Sequence, residues 1–395
     1  MVSEVEPLFM DCFLDQEQLR LRSHVRSWAE KNLLSHDGTG LDIDTEARRL
    51  VARLGRDGFM AYVAPKEFGG AREQVQARDL CAIREQLAWG SALADTMFGV
   101  QALGSYPIVI AGSEEQKRRY LPPLAKGEAI AAFVLTEPNA GSDVSSLETR
   151  AVRTGQGYRL NGVKHFISNA GIAQTHVVFA STDPEKKGKG ISAFIVEAGV
   201  PGFFLKEKTN LLSPHPIGVL AFEDCAVPEG QRLGGEGEGL KIALRTLDTL
   251  RCTVGAAALG LAQRALDESI RYSQHRRQFG RALCEFQATQ IKLADMATEL
   301  EASRLLVYQA AWASDRGQED LPLKSAMAKL FATEAAQRIV DQAVQIHGGN
   351  GVVVGNTVER LYRDVRALRI YEGTSEIQKL VIAKNLLKKE QPHGF

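Results

Sequence analysis

Between about Asp15 and Lys126 the apolar residues recur at helical spacing, as in Leu19, Leu21, Val25 and Trp28, then Leu80, Ile83 and Leu87, and later Val109, Ile110 and Tyr120. A face repeated in that way predicts helices, with the clearest breaks at Gly69-Gly70 and Pro122-Pro123. From about Ala129 to Glu238 the texture changes to short runs rich in β-branched and aromatic residues: AIAAFVLTE, YRLNGVKHFISNA, THVVFAST, ISAFIVEA and VLAFEDCAV. Glycine, proline, asparagine and aspartate separate them, which predicts a compact all-β module. Within it, Tyr158, Leu160 and Val163 around Asn161-Gly162 read as a hairpin. From Leu240 onward helical periodicity returns in long stretches near 240–275, 285–315, 322–346 and after Gly373, helices that can form a bundle. The run VGAAALGLAQRAL is apolar around most of a helix, so it is expected to lie buried against helices of this chain or of another copy, and a homo-oligomer is expected.

The expected fold is therefore multi-domain α+β: an N-terminal helical domain over 1–128, a middle β-barrel or sandwich over 129–238, and a C-terminal four-helix bundle over 239–395. A length of 395 residues suits two to three domains at about 150 residues each. Lys+Arg and Asp+Glu are both 48, and the zero net charge gives no global field toward nucleic acid or an anionic membrane. Charge recognition must then be local. The five cysteines are scattered and never form CxxC, which suggests neither a disulfide framework nor a zinc site. The start MVSEVEPLFMDCFLDQEQLR lacks the basic segment and apolar run of a signal peptide, and no apolar run reaches membrane-spanning length; a cytoplasmic location is expected.

Familiar nucleotide and metal motifs are missing. There is no GxxxxGK[ST] and no HExxH, the histidines lack ligand spacing, and LGGEGEGL reads as a loop leading into a helix. Five other segments can carry chemistry. Leu135-Thr136-Glu137-Pro138-Asn139-Ala140-Gly141-Ser142-Asp143 follows a strand; it is either an Asx-rich turn or a loop whose small residues and hydroxyls meet a polar ring or a phosphate. Lys164-His165-Phe166-Ile167-Ser168-Asn169 alternates as a strand, with Phe166 and Ser168 on one face and His165 and Ile167 on the other. Arg276-Arg277-Gln278-Phe279-Gly280 closes a long helix with Gln287 just beyond, where Arg276 either complements the helix dipole or clamps a diphosphate. Gln345-Ile346-His347-Gly348-Gly349-Asn350-Gly351 ends another helix with more glycines than a C-cap requires. In Ile370-Tyr371-Glu372-Gly373-Thr374-Ser375-Glu376-Ile377-Gln378 a carboxylate precedes a turn in which Thr374 or Ser375 can cap the last helix; Glu372 is either stabilised by that helix's positive end or is a general base.

In this order and arrangement, TEPNAGSD, RRQFG, QIHGGNG and YEGTSEIQ closely resemble the acyl-CoA dehydrogenase flavoenzymes over nearly the whole chain. The resemblance implies a homotetramer, a dimer of dimers, with one FAD per subunit in a site shared between subunits, and an electron-transfer flavoprotein as acceptor. It implies that Phe133, Leu135, Thr136, Gly141, Ser142, Phe166, Ile167 and Ser168 contact the flavin side of FAD, with Ser168 near N5. Arg276, Gln287, Gln345, Gly348 and Gly349 are implied to hold the diphosphate and adenosine part of a neighbouring subunit's FAD, while Thr374 and Glu376 complete the site.

For substrate, the resemblance implies an acyl-CoA thioester, with Asp248 and Arg251 on the CoA portion, Ser142 and Gly373 at the thioester end, and the helix carrying Asp95 and Gly99 on the floor of the acyl pocket, Asp95 facing either inward, where it would favour a polar or compact acyl group, or solvent. Glu372 would take the α-proton while the β-hydrogen leaves to flavin N5, giving a trans-2-enoyl-CoA, a step of fatty acid metabolism and β-oxidation. No metal is implied. Some members carry the base before the arginine of LDTLR; Leu250 stands there and cannot take a proton. The chain departs from the family in reading Phe166-Ile167-Ser168 where Trp-Ile-Thr is frequent, and in the loop Ser213-Pro214-His215-Pro216-Ile217-Gly218, where His215 is expected at the surface. An acyl-CoA oxidase, a relative acting on polar or carrier-bound thioesters, and an inactive scaffold are the rival readings.

Overall fold

The computed structural model describes residues 12–34 and 42–389; residues 1–11, part of the start read above for targeting signals, lie outside them. The chain runs through helices α1 (Gln16–Asn32), α2 (Ile43–Arg56), α3 (Ala77–Gly90), α4 (Ala92–Ala111) and α5 (Glu114–Ala125). Strands follow: β1 (Ala131–Val134), β2 (Arg150–Thr154), β3 (Gly157–Ser168), β4 (Thr175–Ser181), β5 (Ile191–Glu197), β6 (Phe203–Lys208), β7 (Ile217–Pro228) and β8 (Arg232–Leu233). The rest is α6 (Gly239–His275), the short strands β9 (Arg277–Gln278) and β10 (Arg281–Ala282), α7 (Gln287–Asp315), α8 (Leu321–His347), α9 (Thr357–Arg366) and α10 (Ser375–Lys389). Helices before and after a sheet are the mixed fold expected from the three textures. Contacts gather the described residues into two compact units, 12–34, 76–92 and 251–389 in one and 42–75 and 93–250 in the other. No helix among the described residues is long and apolar enough to cross a membrane.

The sheet-bearing unit holds one eight-stranded sheet in the order β6-β7-β3-β2-β4-β5-β8, with β1 running parallel to β4. Its core joins Val177, Phe179, Ile191, Ala193 and Ile195 of the sheet to Tyr120, Leu121 and Leu124 of α5 and Ile108 of α4. Two expectations are corrected. Asn161-Gly162 makes no turn: β3 runs straight through it, the extra residue lying opposite in β7 at Glu223-Asp224, and the hairpin to β2 turns at Gly155-Gln156, where Thr154 pairs with Gly157. A turn signal inside a long strand makes no turn when pairing continues on both sides, and here the partner strand takes up the irregularity as a bulge. Pro122-Pro123 is not a break but the last turn of α5, where Ala125 ends the helix. The sequence also left β2, β6 and α9 unread; β2 is exposed at all but Ala151, so burial gives it no apolar signature.

The helical unit is built on α3 and on the 251–275 part of α6. Nearly every residue of α3 is buried, and so is the whole run from Arg251 to Ala262. Fully burying each large aliphatic side chain contributes about 1.5–3 kcal/mol. A Cβ at Gly260 would lie 2.1 Å from the Glu85 carbonyl, so only glycine lets these two helices approach so closely. Beside that contact the Glu85 carboxylate is buried against Arg22 (3.0 Å), Arg304 (3.1 Å) and the Tyr308 hydroxyl (2.6 Å). Burial alone would raise its pKa, but the two guanidiniums outweigh it and hold the carboxyl at about 2.

Candidate active site

In the sheet-bearing unit the first two motifs form one structure. Glu137 and Ala140 exchange backbone hydrogen bonds in a tight turn, and the Glu137 carboxylate accepts from the backbone N–H of Glu148 and, at 3.0 Å, of Thr149. Lys164 of β3, fully buried, donates to that carboxylate at 2.8 Å and to the Leu135 carbonyl at 2.9 Å. Burial works against the Glu137 charge, yet Lys164 prevails and keeps the carboxyl below its ordinary range. His165 N–H donates to the Thr136 carbonyl at 2.9 Å, and the buried Asn169 amide donates to the Ala131 carbonyl at 2.9 Å. The TEPNAGSD loop and the end of β3 are thereby fixed to one another.

Alternation along β3 does not run through unbroken. One extra residue between the pairs Lys164–Leu220 and Ile167–Gly218 bulges the strand, and Phe166 sits there at φ 53° with 52% of its surface exposed. A bulky residue in the left-handed region costs roughly 1–2 kcal/mol, and such strain concentrates at functional sites. Ser168 and Thr136 are half-buried, Phe133 likewise, while Leu135 and Ile167 point into the core and have backbone to offer a ligand. Gly141 and Ser142 are exposed, and a Cβ on Gly141 would meet nothing within 4 Å. His215 is not the surface residue expected: it is half-buried, with Nε2 3.0 Å from the Ser168 hydroxyl. On α4, Asp95 is buried at 4% exposure and Gly99 half-buried; Asp248 on α6 is half-buried.

In the helical unit the loop before α10 is fixed from several directions. Glu372 is half-buried at φ 52°, followed by Gly373 at φ 94°. Lys329 of α8, with 0% exposure, donates to the Gly373 carbonyl at 2.7 Å, and Gln378 donates to the Glu372 and Gly373 carbonyls at 3.3 and 3.0 Å. Thr374, rather than Ser375, caps α10 by accepting from Ile377 N–H at 3.3 Å. Ser375 instead donates to Glu334 at 2.6 Å, itself paired with Arg369 at 2.8 Å. Burial lowers the Lys329 ammonium to about 8; the Glu372 charge opposes this most, and Arg251 adds to the lowering. Arg251 is buried, with Nη1 3.4 Å from the Ser325 hydroxyl, and Glu376 is exposed.

The remaining motifs meet at the ends of the long helices. Tyr272 of α6 stacks on His347 of α8 at 4.2 Å and accepts from Asn350 at 3.1 Å, which brings the segment before Arg276 beside the glycines after α8. Arg276, Gln287, Gln345, Gly348 and Gly349 are all exposed, and Cβ atoms on the two glycines would meet nothing within 4 Å. Between Arg276 and α7 the β9–β10 hairpin carries Phe279 at φ 50° and 94% exposure.

Family models match three consecutive segments: the acyl-CoA dehydrogenase N-terminal domain over residues 15–128, the middle domain over 132–225 and the C-terminal domain over 237–387. The chain belongs to the acyl-CoA dehydrogenase family. It is 41% identical over 387 residues to a probable acyl-CoA dehydrogenase of Mycobacterium leprae, covering 97% of this chain and 98% of that one. Among solved structures it is similar to butyryl-CoA dehydrogenase from Megasphaera elsdenii, with a TM-score of 0.90 and 37% identity over 95% of this chain and 99% of that chain. It is likewise similar to an FAD complex of PigA, with a TM-score of 0.88 and 32% identity over 95% and 99% of the two chains.

Membership makes the protein an oxidoreductase and a flavoprotein. The residues present in this acyl-CoA dehydrogenase fit FAD: an exposed aromatic ring beside two hydroxyls suits a flat heterocycle, and open glycines near an exposed arginine suit a diphosphate. Sequence reasoning missed Lys164, Lys329 and Gln378. Their one signal was charge or amide in an otherwise apolar face, and a partner distant in sequence is needed to explain it.

Proposed function

We propose that the protein is an FAD-dependent acyl-CoA dehydrogenase that desaturates an acyl-CoA at Cα–Cβ, with Glu372 as the base. The observation that carries this reading is the Glu372-Gly373 turn: a half-buried carboxylate held in a left-handed conformation by Lys329 and Gln378 on its carbonyls and by the Thr374 cap behind it. A base held so firmly approaches a substrate in one orientation, the entropy being lost on folding rather than during reaction. FAD, when bound, takes up the β-hydrogen with its electron pair. Glu372 takes the α-proton, so that both hydrogens are accounted for and the thioester leaves as the trans-2-enoyl-CoA.

The α-carbon of a thioester is a weak acid, and the backbone N–H of Glu372 is the group assigned to polarise its carbonyl. Arg251 and Asp248 are assigned to the CoA portion, Ser142 and Gly373 to the thioester end, and Asp95 and Gly99 to the acyl end. Phe133, Thr136, Phe166 and Ser168, with the backbone of Leu135, Gly141 and Ile167, would hold the flavin. Arg276, Gln287, Gln345, Gly348 and Gly349 would hold the diphosphate and adenosine, with Thr374 and Glu376 completing the site, in a homotetramer passing electrons to an electron-transfer flavoprotein. Anaerobic bleaching of the flavin by C4, C8, branched and polar acyl-CoAs tests the reading and reports the acyl preference. Glu372→Gln should remain yellow and FAD-bound yet lose bleaching and turnover by at least about 100-fold; retained turnover sinks the assignment.

A further inference from the structure

Ser213-Pro214-His215-Pro216 joins β6 to β7, and the prolines on either side of His215 restrict its backbone. The loop is latched to the end of β3: Asn169 N–H donates to the Pro216 carbonyl at 2.8 Å, and Ser168 pairs with Ile217 across the strands. His215 lies with Nδ1 3.3 Å from the Ser213 carbonyl and Nε2 3.0 Å from the Ser168 hydroxyl. A carbonyl can only accept, so Nδ1 carries the hydrogen. In the neutral ring Nε2 is then a bare acceptor, and the Ser168 hydroxyl must donate its one hydrogen to it. Burial holds this imidazole below its ordinary range, which keeps the ring neutral at neutral pH.

We infer that His215 is a positioning residue that makes Ser168 an acceptor toward whatever ligand lies over the exposed ring of Phe166. The consequence rests on the reading above in which Ser168 faces flavin N5. Oxidised flavin has a lone pair at N5 and reduced flavin has an N–H there. A hydroxyl already committed to His215 can accept from the N–H but has no hydrogen for the lone pair. His215 thereby favours the reduced cofactor and raises its two-electron potential.

The test uses the full-length, FAD-loaded protein and potentials measured by equilibration with a reference dye. His215→Phe and His215→Leu both free the Ser168 hydroxyl to donate to the oxidised form. Either one that folds is expected to lower the ratio of affinities for reduced over oxidised FAD about tenfold, one hydrogen bond's worth, which is a fall of about 30 mV for a two-electron couple. Oxidised FAD, titrated by quenching of its fluorescence, should bind these variants more tightly than the parent. Ser168→Ala separates the two assumptions. If it alters the flavin spectrum and potential while both His215 variants leave the potential unchanged, the inference is wrong and the flavin placement stands. If Ser168→Ala alters neither, flavin does not lie at Ser168 and the inference goes with that placement.

Discussion

Lys329→Met separates the needs of the catalytic loop from those of the fold. Lys329 is fully buried and donates to the Gly373 carbonyl at 2.7 Å, and methionine keeps the length of its stem while removing the ammonium. Burial lowers the ammonium from the ordinary 10.5 to about 8, so charging it in the folded state costs about 3 kcal/mol. The sign is fixed by the lowered value: below pH 8 lysine is protonated in both the folded and unfolded states and the cost is fully present, and it fades as pH rises toward 10.5. Removing the charge therefore relieves a burden on the fold, against the loss of one hydrogen bond of about 1 kcal/mol.

The loop pays differently. Left-handed backbone at Glu372 costs roughly 1–2 kcal/mol, and the lost bond is of that same size, so the turn relaxes into conformers that misdirect the carboxylate. A loss of about 1.4 kcal/mol in the reacting geometry is a tenfold fall in kcat. The expected outcome is a denaturant midpoint at pH 7 equal to or above that of the parent, together with a single-turnover flavin reduction rate about tenfold lower and little change in KM. A variant that unfolds earlier yet reduces flavin at the parental rate would refute the reasoning on both counts.

Glu85→Gln should act in the opposite way. It leaves the buried Arg304 and the partly buried Arg22 facing a neutral amide, at a cost on the order of 3–5 kcal/mol, readable as a lower urea midpoint at pH 7. Because the carboxyl is held at about 2, its stabilisation is present at neutral pH and lost as pH falls toward that value, so the variant should show a flatter acid unfolding curve between roughly pH 5 and 3; parallel curves would contradict the network. Gly373→Ala places a Cβ 2.3 Å from the Gln378 amide at φ 94°, which should cost about 1–2 kcal/mol and depress kcat far more than FAD affinity. Equal losses in both would show that the turn is not the base's support.

The sequence by itself determined the textures, the helical and β-rich segments and their order, because burial imposes periods of 3.6 and 2 that survive without any partner in view. It also determined the motifs, since TEPNAGSD, RRQFG, QIHGGNG and YEGTSEIQ are contiguous. Tertiary structure decided how those segments are held. Lys164 on Glu137, Lys329 and Gln378 on the Glu372-Gly373 turn, and Tyr272 on His347 are contacts between residues distant along the chain or between separate elements. In none of them does the local sequence name the partner.

The same holds for what the sequence misplaced. Asn161-Gly162 is a turn signal locally, but pairing to β7 on both sides keeps it in the strand, with the bulge opposite it in β7. Phe166 leaves strict alternation because one extra residue is squeezed into β3 between two fixed pairs. α1 and α3 have the same helical texture as α2 and α5, yet contact assigns them to the unit that holds the C-terminal helices. His215 has the neighbours of a surface loop in sequence, and only the latch of Pro216 to Asn169 turns it toward Ser168. Periodicity reports that a side chain is buried; which atoms it meets there depends on chain segments that period cannot see.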